Sequence, residues 1–230
     1  MPAELLVPNA TKADFNREGH RPYITLFEGF QDEVLGIDAT KWTVTNPATG
    51  TAWTRAASGA YLQVSAVPNA NEVARFVSVD RWILAPGSWG TNTIMRRLIL
   101  EFEMKLANVA NLDNTICFFG LTPSVADTRA TAGIAGFALL ADVLQSITDS
   151  GGAETTATAF GETLTNWNKL RIEAYAGAIR FYVNEVLKAT HTANLPSTPM
   201  YLNFYADTEA GGAATLFLAN GRAWTEDIKR

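Results

Sequence analysis

The stretch 166–191, NWNKLRIEAYAGAIRFYVNEVLKATH, constrains the fold of this chain more than any other part of the sequence. Within 170–175 and again within 179–183, apolar residues alternate with charged or aromatic ones, which is the period-two pattern of a half-buried β-strand. Gly177 separates the two runs and can take the positive φ of a tight turn without steric cost. Asn184 ends the second run, and asparagine tolerates the left-handed region that a further bend requires. The stretch therefore predicts an antiparallel hairpin followed by a return strand.

The same two-residue period recurs along most of the chain. It is cleanest over 97–107, where five apolar residues share one face: Leu98, Leu100, Phe102, Met104 and Leu106. The run 115–121 is apolar on both faces, which predicts a central strand covered on both sides. Strand-like runs follow one another at the spacing of about 8–12 residues that is typical of β-sandwiches, and no amphipathic helix is predicted. We therefore expect one all-β domain over 23–230, preceded by an N-terminal arm over 1–22.

A family resemblance is carried by this same hairpin. A tryptophan, the strand KLRIEA, a glycine turn and the strand IRFYVN, in that order over Trp167–His191, resemble the central hairpins of laminin-G-like domains in the concanavalin A-like lectin and glucanase superfamily. The resemblance is weaker over 30–67, which has the F-x-D and I-D-x-x-x-W patterns of a jelly-roll opening, and over 200–224. It implies a two-sheet antiparallel jelly-roll sandwich. It implies no single function, because that fold serves enzymes, lectins and structural proteins.

Charge, cysteine content and hydropathy exclude several protein classes. Eighteen basic against 23 acidic residues give a formal net charge of −5, and a mildly acidic chain without a basic stripe lacks the Lys and Arg contacts that nucleic acid requires. Cys117 is the only cysteine, so no intrachain disulfide can form. No stretch approaches the ~20 apolar residues that span a bilayer, and the N-terminus lacks the basic and apolar regions of a secretory signal. We expect synthesis in the cytoplasm and neither a membrane nor a nucleic-acid partner.

Candidate catalytic residues are few. Glucanases of the superfamily place carboxylates on one strand face within a Glu-x-Asp-x-x-Glu pattern, and retaining hydrolysis needs two carboxyl groups ~5–5.5 Å apart. Glu101 and Glu103 share a strand face, but the middle Asp and the third acid are absent, and Lys105 is expected to neutralise Glu103. We interpret the two acids as an outward, solvated charge pair. His20 and His191 are the only histidines, which leaves almost no material for a zinc site or a Ser-His-Asp triad.

Sugar binding requires aromatic platforms beside amide and carboxylate groups. The candidates for a glycan site of this kind are Trp53, Trp89, Asn203, Tyr205 and Asp207. The alternative interpretation of the aromatic residues is core packing or a subunit interface. The scattered aspartates match no calcium-ligand spacing, so no metal and no cofactor is predicted.

The function predicted from these observations is a non-enzymatic structural or decoration module of a virus or phage particle. Catalytic motifs and a signal segment are missing, and Leu5, Leu6 and Val7 of the arm are candidates for docking onto a neighbouring subunit, although a frayed tail is the equal alternative. The partners expected for such a module are other virion or assembly subunits, in a homo-oligomer such as a trimer. The expected location is the virion, and the alternative is a cytoplasmic or released extracellular location. The alternative functions are a glycan-binding, lectin-like module of a tail fibre or adhesion protein and, third, a glycoside hydrolase or lyase.

Overall fold

The computed structural model of the 230-residue chain describes residues 23–27, 42–45, 50–55, 62–66, 72–78, 95–107, 115–123, 133–140, 143–151, 154–157, 160–175, 177–197, 200–208 and 214–228. These residues form fifteen β-strands, numbered in chain order. Among them, no helix has the length and apolar character needed to cross a membrane.

The strands form two antiparallel sheets. Sheet A has the order β13 (Val186–His191), β12 (Ala178–Val183), β11 (Asn168–Tyr175), β6 (Met95–Leu106), β15 (Ala214–Ile228), β4 (Leu62–Ala66) and β3 (Gly50–Arg55), and β1 (Tyr23–Phe27) also pairs with β15. Sheet B has the order β10 (Glu154–Ala157), β9 (Val143–Asp149), β8 (Ala135–Leu140), β7 (Thr115–Thr122), β14 (Tyr201–Thr208), β5 (Glu72–Ser78) and β2 (Trp42–Thr45). The predicted all-β, two-sheet antiparallel sandwich is confirmed.

The core lies between the sheets and is built from the inward side of each alternating strand. The five apolar residues predicted to share a face of β6 are all buried in this core, each at most 1% exposed. Phe102 of sheet A meets Phe204 of sheet B edge-to-face with ring centroids 5.2 Å apart, and Phe181 meets Phe137 in the same way at 5.3 Å. Each such ring contributes about 1.5–3 kcal/mol through removal from water.

The predicted hairpin is present and holds the centre of sheet A together. β11 pairs with β12 on one side and with β6 on the other, each in an unbroken antiparallel register. Gly177 turns the chain with φ 79°, as the sequence predicts. Asn184 and Glu185 have φ of 50° and 66°, which is the left-handed geometry of a tight two-residue hairpin turn. The return strand is β13.

One strand lies where the sequence pattern predicts none. β9 is paired on both sides, but its inward positions include Ser146 and Thr148, which are fully buried. Hydroxyl groups at inward positions remove the alternation of apolar and polar residues on which a prediction from periodicity depends. Both hydroxyls form hydrogen bonds to the ring of His191 in the opposite sheet, which accounts for their burial.

The last strand is longer than predicted. The sequence indicates a closing strand over 215–219, whereas β15 continues to Ile228 and pairs with β6 over 216–219 and 222–228. Asn220-Gly221 is a turn signal, but here the register shift between Ala219 and Arg222 absorbs it as a bulge within the strand. The arm 1–22 lies outside the described residues, so the division into arm and domain stays a prediction.

Candidate functional site

Charged side chains line the outer face of sheet A. Because inward and outward positions alternate, the outward residues of β6, β11 and β12 stand side by side across the three strands. We call this surface the ladder face and define it by Arg97, Glu101, Glu103, Lys105, Lys169, Arg171, Glu173, Tyr175, Arg180 and Tyr182, together with Glu185 in the turn after β12.

Two carboxylates form the floor of the ladder face. Glu101 is 4% exposed and Glu173 is 6% exposed, although both point away from the core. Lys169 Nζ lies 3.2 Å from Glu101 Oε2. Arg97 NH1 lies 3.3 Å from Glu173 Oε2, and Arg171 Nε lies 3.4 Å from Glu173 Oε1. Both carboxylates are therefore buried beneath the cations that neutralise them.

Glu185 completes the network from the hairpin turn. Its Oε1 accepts a hydrogen bond from Lys169 Nζ at 2.6 Å, and its Oε2 accepts one from Arg171 NH1 at 2.9 Å. Burial acts to lower the pKa of Lys169, but the hydrogen bonds to Glu185 and Glu101 outweigh it, so the pKa is raised above its ordinary value. Lys169 is thus a permanent cation that links a buried carboxylate to an exposed one.

Aromatic rings hold the two arginines of the hairpin. The guanidinium of Arg171 lies 4.2 Å from the ring centroid of Tyr182, and that of Arg180 lies 5.1 Å from the ring centroid of Tyr175. Guanidinium groups stack on aromatic faces through cation–π attraction, which leaves their N–H edges available for other acceptors. Burial raises the pKa of Tyr175, while the charge of Arg180 acts in the opposite direction. Tyr175 therefore remains a neutral support for Arg180.

An exposed tryptophan stands at one end of the ladder face. Trp167 immediately precedes β11 and is 38% exposed. Lys105 Nζ lies 5.0 Å from the Trp167 ring centroid and 5.1 Å from that of Phe217, its register neighbour on β15. The ammonium, which was expected to neutralise Glu103, lies over both aromatic rings. The result is an apolar surface bordered by charge.

The structure changes the interpretation of the acid pair. Glu101 and Glu103 do share the outward face of β6, as predicted, but Glu101 is nearly buried and contacts Lys169 on the neighbouring strand. The predicted solvated pair is thus half of a cross-strand ion network. Periodicity indicates which residues share a face of one strand, whereas cross-strand contacts depend on register, which the sequence left open.

The predicted glycan residues are not brought together in one place. Asn203 and Tyr205 both lie on the outer face of sheet B and are fully buried; Asn203 donates a hydrogen bond to Thr122 Oγ1 at 3.2 Å. Asp207 belongs to the same strand, and Trp53 belongs to β3 in sheet A; the side chains of both lie outside the described atoms. Trp89 and the arm residues Leu5, Leu6 and Val7 lie outside the described residues. The glycan site at these positions stays a prediction, and so does the docking arm.

A second polar cluster lies between the sheets at their edge, and the sequence did not indicate it. His191 of β13 is 3% exposed; Ser146 Oγ lies 3.0 Å from its Nε2 and Thr148 Oγ1 lies 2.9 Å from its Nδ1. The Thr148 hydroxyl also donates to the carbonyl of Ala193, so it accepts from Nδ1–H, and Ser146 donates to Nε2. Burial lowers the pKa of His191. The neutral imidazole ties the two sheets together.

Metal ligation has no support in the part of the chain that the structure describes. No group of three or more His, Cys, Asp or Glu side chains is arranged there to hold a metal ion. The carboxylates of Glu101, Glu173 and Glu185 are paired with Lys and Arg side chains instead.

Comparison with known proteins identifies the architecture. No protein-family model and no curated protein matches the sequence. Among solved structures, a β-glucanase from Bacillus licheniformis matches with a TM-score of 0.60 and 16% identity, over 91% of this chain and 100% of its own. The laminarinase catalytic domain from Thermotoga maritima matches with a TM-score of 0.63 and 12% identity, over 90% and 100%. The alginate lyase A1-II′ matches with a TM-score of 0.59 and 11% identity, over 83% and 96%. The predicted jelly roll is confirmed.

The same comparisons correct the predicted function. The prediction of a structural or decoration module of a virus or phage particle is wrong, because the similar solved structures are named for action on polysaccharides. The prediction that the chain is not an enzyme is also wrong, because the same fold carries a glucanase, a laminarinase and a lyase at 11–16% identity. The prediction of no enzymatic activity relied on the incomplete Glu-x-Asp-x-x-Glu pattern around Glu101 and Glu103 in β6. Residues from different strands can assemble a site, so a motif missing from one strand does not exclude activity.

Proposed function

We propose that this chain, whose fold is that of the concanavalin A-like jelly rolls, recognises glycan chains on the ladder face of sheet A. Glycan recognition is the step that lectin-like domains, glycoside hydrolases and polysaccharide lyases have in common. The proposal thus replaces the virion module with a role in line with the polysaccharide-acting proteins of similar fold.

The observation that carries the proposal is the exposed Trp167 beside the charged network. A pyranose ring has an apolar C–H face and a rim of hydroxyl groups. The C–H face can pack on an indole ring, while hydroxyls exchange hydrogen bonds with charged donors and acceptors. Trp167 supplies the indole, and Lys105 holds the position of that ring through the 5.0 Å contact. An apolar surface with a few convergent polar groups is the usual composition of a small-ligand site.

The neighbouring ion network supplies the polar groups. Lys169 and Glu103 are register partners on the next row of the face, and the side chain of Lys169 is 31% exposed. Because its neighbours Glu101 and Glu185 hold the ammonium, little conformational entropy remains to be lost when a sugar hydroxyl binds there. Such preorganisation increases affinity by reducing the cost of ordering the site.

Isothermal titration calorimetry with a panel of neutral and acidic oligosaccharides tests the proposal. Trp167→Ala is expected to weaken binding by about 10-fold, which corresponds to 1.4 kcal/mol. Val143→Ala is the matched control, because Val143 is 42% exposed but belongs to sheet B, and it should bind as the wild type does. Wild-type protein that binds no oligosaccharide at millimolar concentration, or Trp167→Ala that binds normally, contradicts the proposal.

The same panel distinguishes binding from turnover. Each oligosaccharide is incubated with the protein and analysed for new reducing ends, which hydrolysis produces, and for unsaturated uronate products, which a lyase produces. Loss of either product in Trp167→Ala would connect the activity to the ladder face.

A further inference from the structure

Two carboxylates of the ladder face lie deeper than the cations that pair with them. The side chains of Glu101 and Glu173 are 5% and 8% exposed, whereas those of Lys169, Arg97 and Arg171 are 31%, 27% and 23% exposed. These two negative charges are thus covered by positive ones, whereas the carboxylate of Glu185, with a side chain 55% exposed, lies in the turn after β12. A ligand that approaches the strands above Glu101 and Glu173 meets ammonium and guanidinium groups first, although the network as a whole is close to neutral.

Arg180 is the most accessible of these cations. It is an exposed residue at the centre of β12, opposite Glu173 in the register. Its guanidinium stacks on Tyr175 at 5.1 Å, and no carboxylate of the described residues lies within ion-pair distance of it. A guanidinium held on a ring keeps its donors in one plane, ready for a planar, two-oxygen acceptor.

The local charge contrasts with that of the whole chain. The ladder face combines Arg97, Lys105, Lys169, Arg171 and Arg180 with four carboxylates, two of which are nearly buried. The whole protein has a formal charge of −5. A surface of accessible cations on an acidic protein attracts an anionic ligand to one face and repels it from the rest.

We propose that the ligand of the ladder face is a polyuronate, a glycan whose sugar units carry carboxylates, with Arg180 as a specificity-determining residue. The inference rests on the proposed function and adds the chemical class of the glycan. Carboxylate is favoured over sulfate because the guanidinium fork matches its two coplanar oxygens. Arg171, on the adjacent row of the face, offers a second guanidinium to a neighbouring unit of the same chain.

The dimensions of the face indicate an oligosaccharide rather than a single sugar. Trp167 and the Glu173–Arg180 row are six residues apart along β11, which is about 20 Å at the rise of an extended strand. A chain that stacks on Trp167 at one end and meets Arg180 at the other must lie along the strand. Affinity is therefore expected to rise with chain length until this distance is spanned.

The experiment compares matched oligosaccharides by calorimetry at two salt concentrations. The ligands are a polyuronate, a neutral glucan and a sulfated glucan of equal length, and the proteins are the wild type, Arg180→Gln, Arg180→Lys and Arg75→Gln. Arg75 on β5 of sheet B is the control, because Arg75→Gln removes one positive charge at a site distant from the ladder face.

We expect Arg180→Gln to weaken polyuronate binding by about 10-fold and to leave binding of the neutral glucan unchanged. Arg180→Lys should be intermediate, and higher salt should weaken only the binding of charged ligands.

The outcomes separate this inference from the proposed function. Equal affinity for polyuronate and neutral glucan, or an equal effect of Arg75→Gln and Arg180→Gln, overturns the polyuronate inference and leaves glycan recognition standing. Tighter binding of the sulfated glucan overturns the choice of carboxylate. Failure of every glycan to bind overturns both proposals together.

Discussion

The outer faces of the two sheets follow the same alternation and have opposite characters. On sheet B, Phe118, Tyr205 and Ile147 point away from the core between the sheets and are nonetheless fully buried. On sheet A, Arg171 and Arg180 occupy equivalent outward positions and reach solvent. The sequence shows this difference as a run that is apolar on both faces, 115–121, against one that is charged on its second face, 97–107.

This contrast locates the candidate site. The centre of sheet B is covered on both sides, and Asn203 and Tyr205 are fully buried there. The solvated face of sheet A combines accessible donors, acceptors and an exposed ring. Four predictions test the contrast, in order of decreasing expected effect.

Removing one outward aromatic ring from each sheet gives the most direct test. Phe118 is fully buried and stacks on Tyr205 at 5.8 Å, so Phe118→Ala should lower the free energy of unfolding by about 4 kcal/mol. Tyr182→Ala on the ladder face should cost about 2 kcal/mol, from the cation–π contact with Arg171 and the hydrogen bond that the Tyr182 hydroxyl donates to Glu173 Oε2. Urea unfolding followed by tryptophan fluorescence measures both. Equal losses would mean that the two outer faces are packed alike.

A single methyl group should have nearly as large an effect on sheet B. A Cβ at Gly136 would lie 2.6 Å from the Phe119 carbonyl oxygen and 2.7 Å from Phe118 Cζ, so Gly136→Ala should cost about 3 kcal/mol through overpacking. Gly177 has open space around it and φ of 79°, so Gly177→Ala on sheet A should cost only about 1 kcal/mol of backbone strain. Chemical denaturation of the two variants in parallel measures both losses. A larger loss of unfolding free energy for Gly177→Ala than for Gly136→Ala would refute the close contact of Gly136 with Phe118 and Phe119.

Neutralising a carboxylate of the ladder face should destabilise the protein more when that carboxylate is buried. Glu173 is 6% exposed, and Glu173→Gln removes the negative charge that pairs with Arg97 and Arg171. The free energy of unfolding should fall by about 2 kcal/mol, which is less than the ~3–5 kcal/mol typical of breaking a fully buried ion pair. Glu185→Gln removes a carboxylate whose side chain is 55% exposed and should cost less than about 0.5 kcal/mol. Thermal unfolding at low and high salt separates them, since only the Glu185 contribution should vanish on screening.

Acid should weaken the connection between the two sheets. The lowered pKa of His191 means that the unfolded chain binds a proton more readily, so the contribution of this residue is complete above about pH 6.5 and declines as the pH falls below it. The slope cannot exceed about 1.4 kcal/mol per pH unit for one proton. His191→Gln should flatten the decline between pH 7 and pH 5 in urea titrations. An unchanged slope would show that other groups cause it.

Much of the fold follows from local pattern, and the exceptions have identifiable causes. The β11–β12 hairpin and the inward set of β6 were predictable because every position obeys the alternation and Gly177 and Asn184 suit their turns. β9 was missed because Ser146 and Thr148 face inward to bind His191, a residue more than 40 positions away in the chain. The ladder face was visible only as charged positions on separate strands. Its ion pairs depend on the register of β11 against β6. A shift of that register by one residue would move every side chain of the strand to the opposite face of the sheet.

The amino-acid sequence by itself determined that this chain forms pleated strands, where its central hairpin turns, and which side chains of each strand face together. These properties depend on backbone sterics and on residues two positions apart. Only the tertiary structure decided that Lys169 contacts Glu101 of β6, that the centre of the outer face of sheet B is buried, and that an exposed tryptophan borders the cations of sheet A. Those outcomes depend on contacts between residues far apart in the chain, whose energies no local pattern encodes.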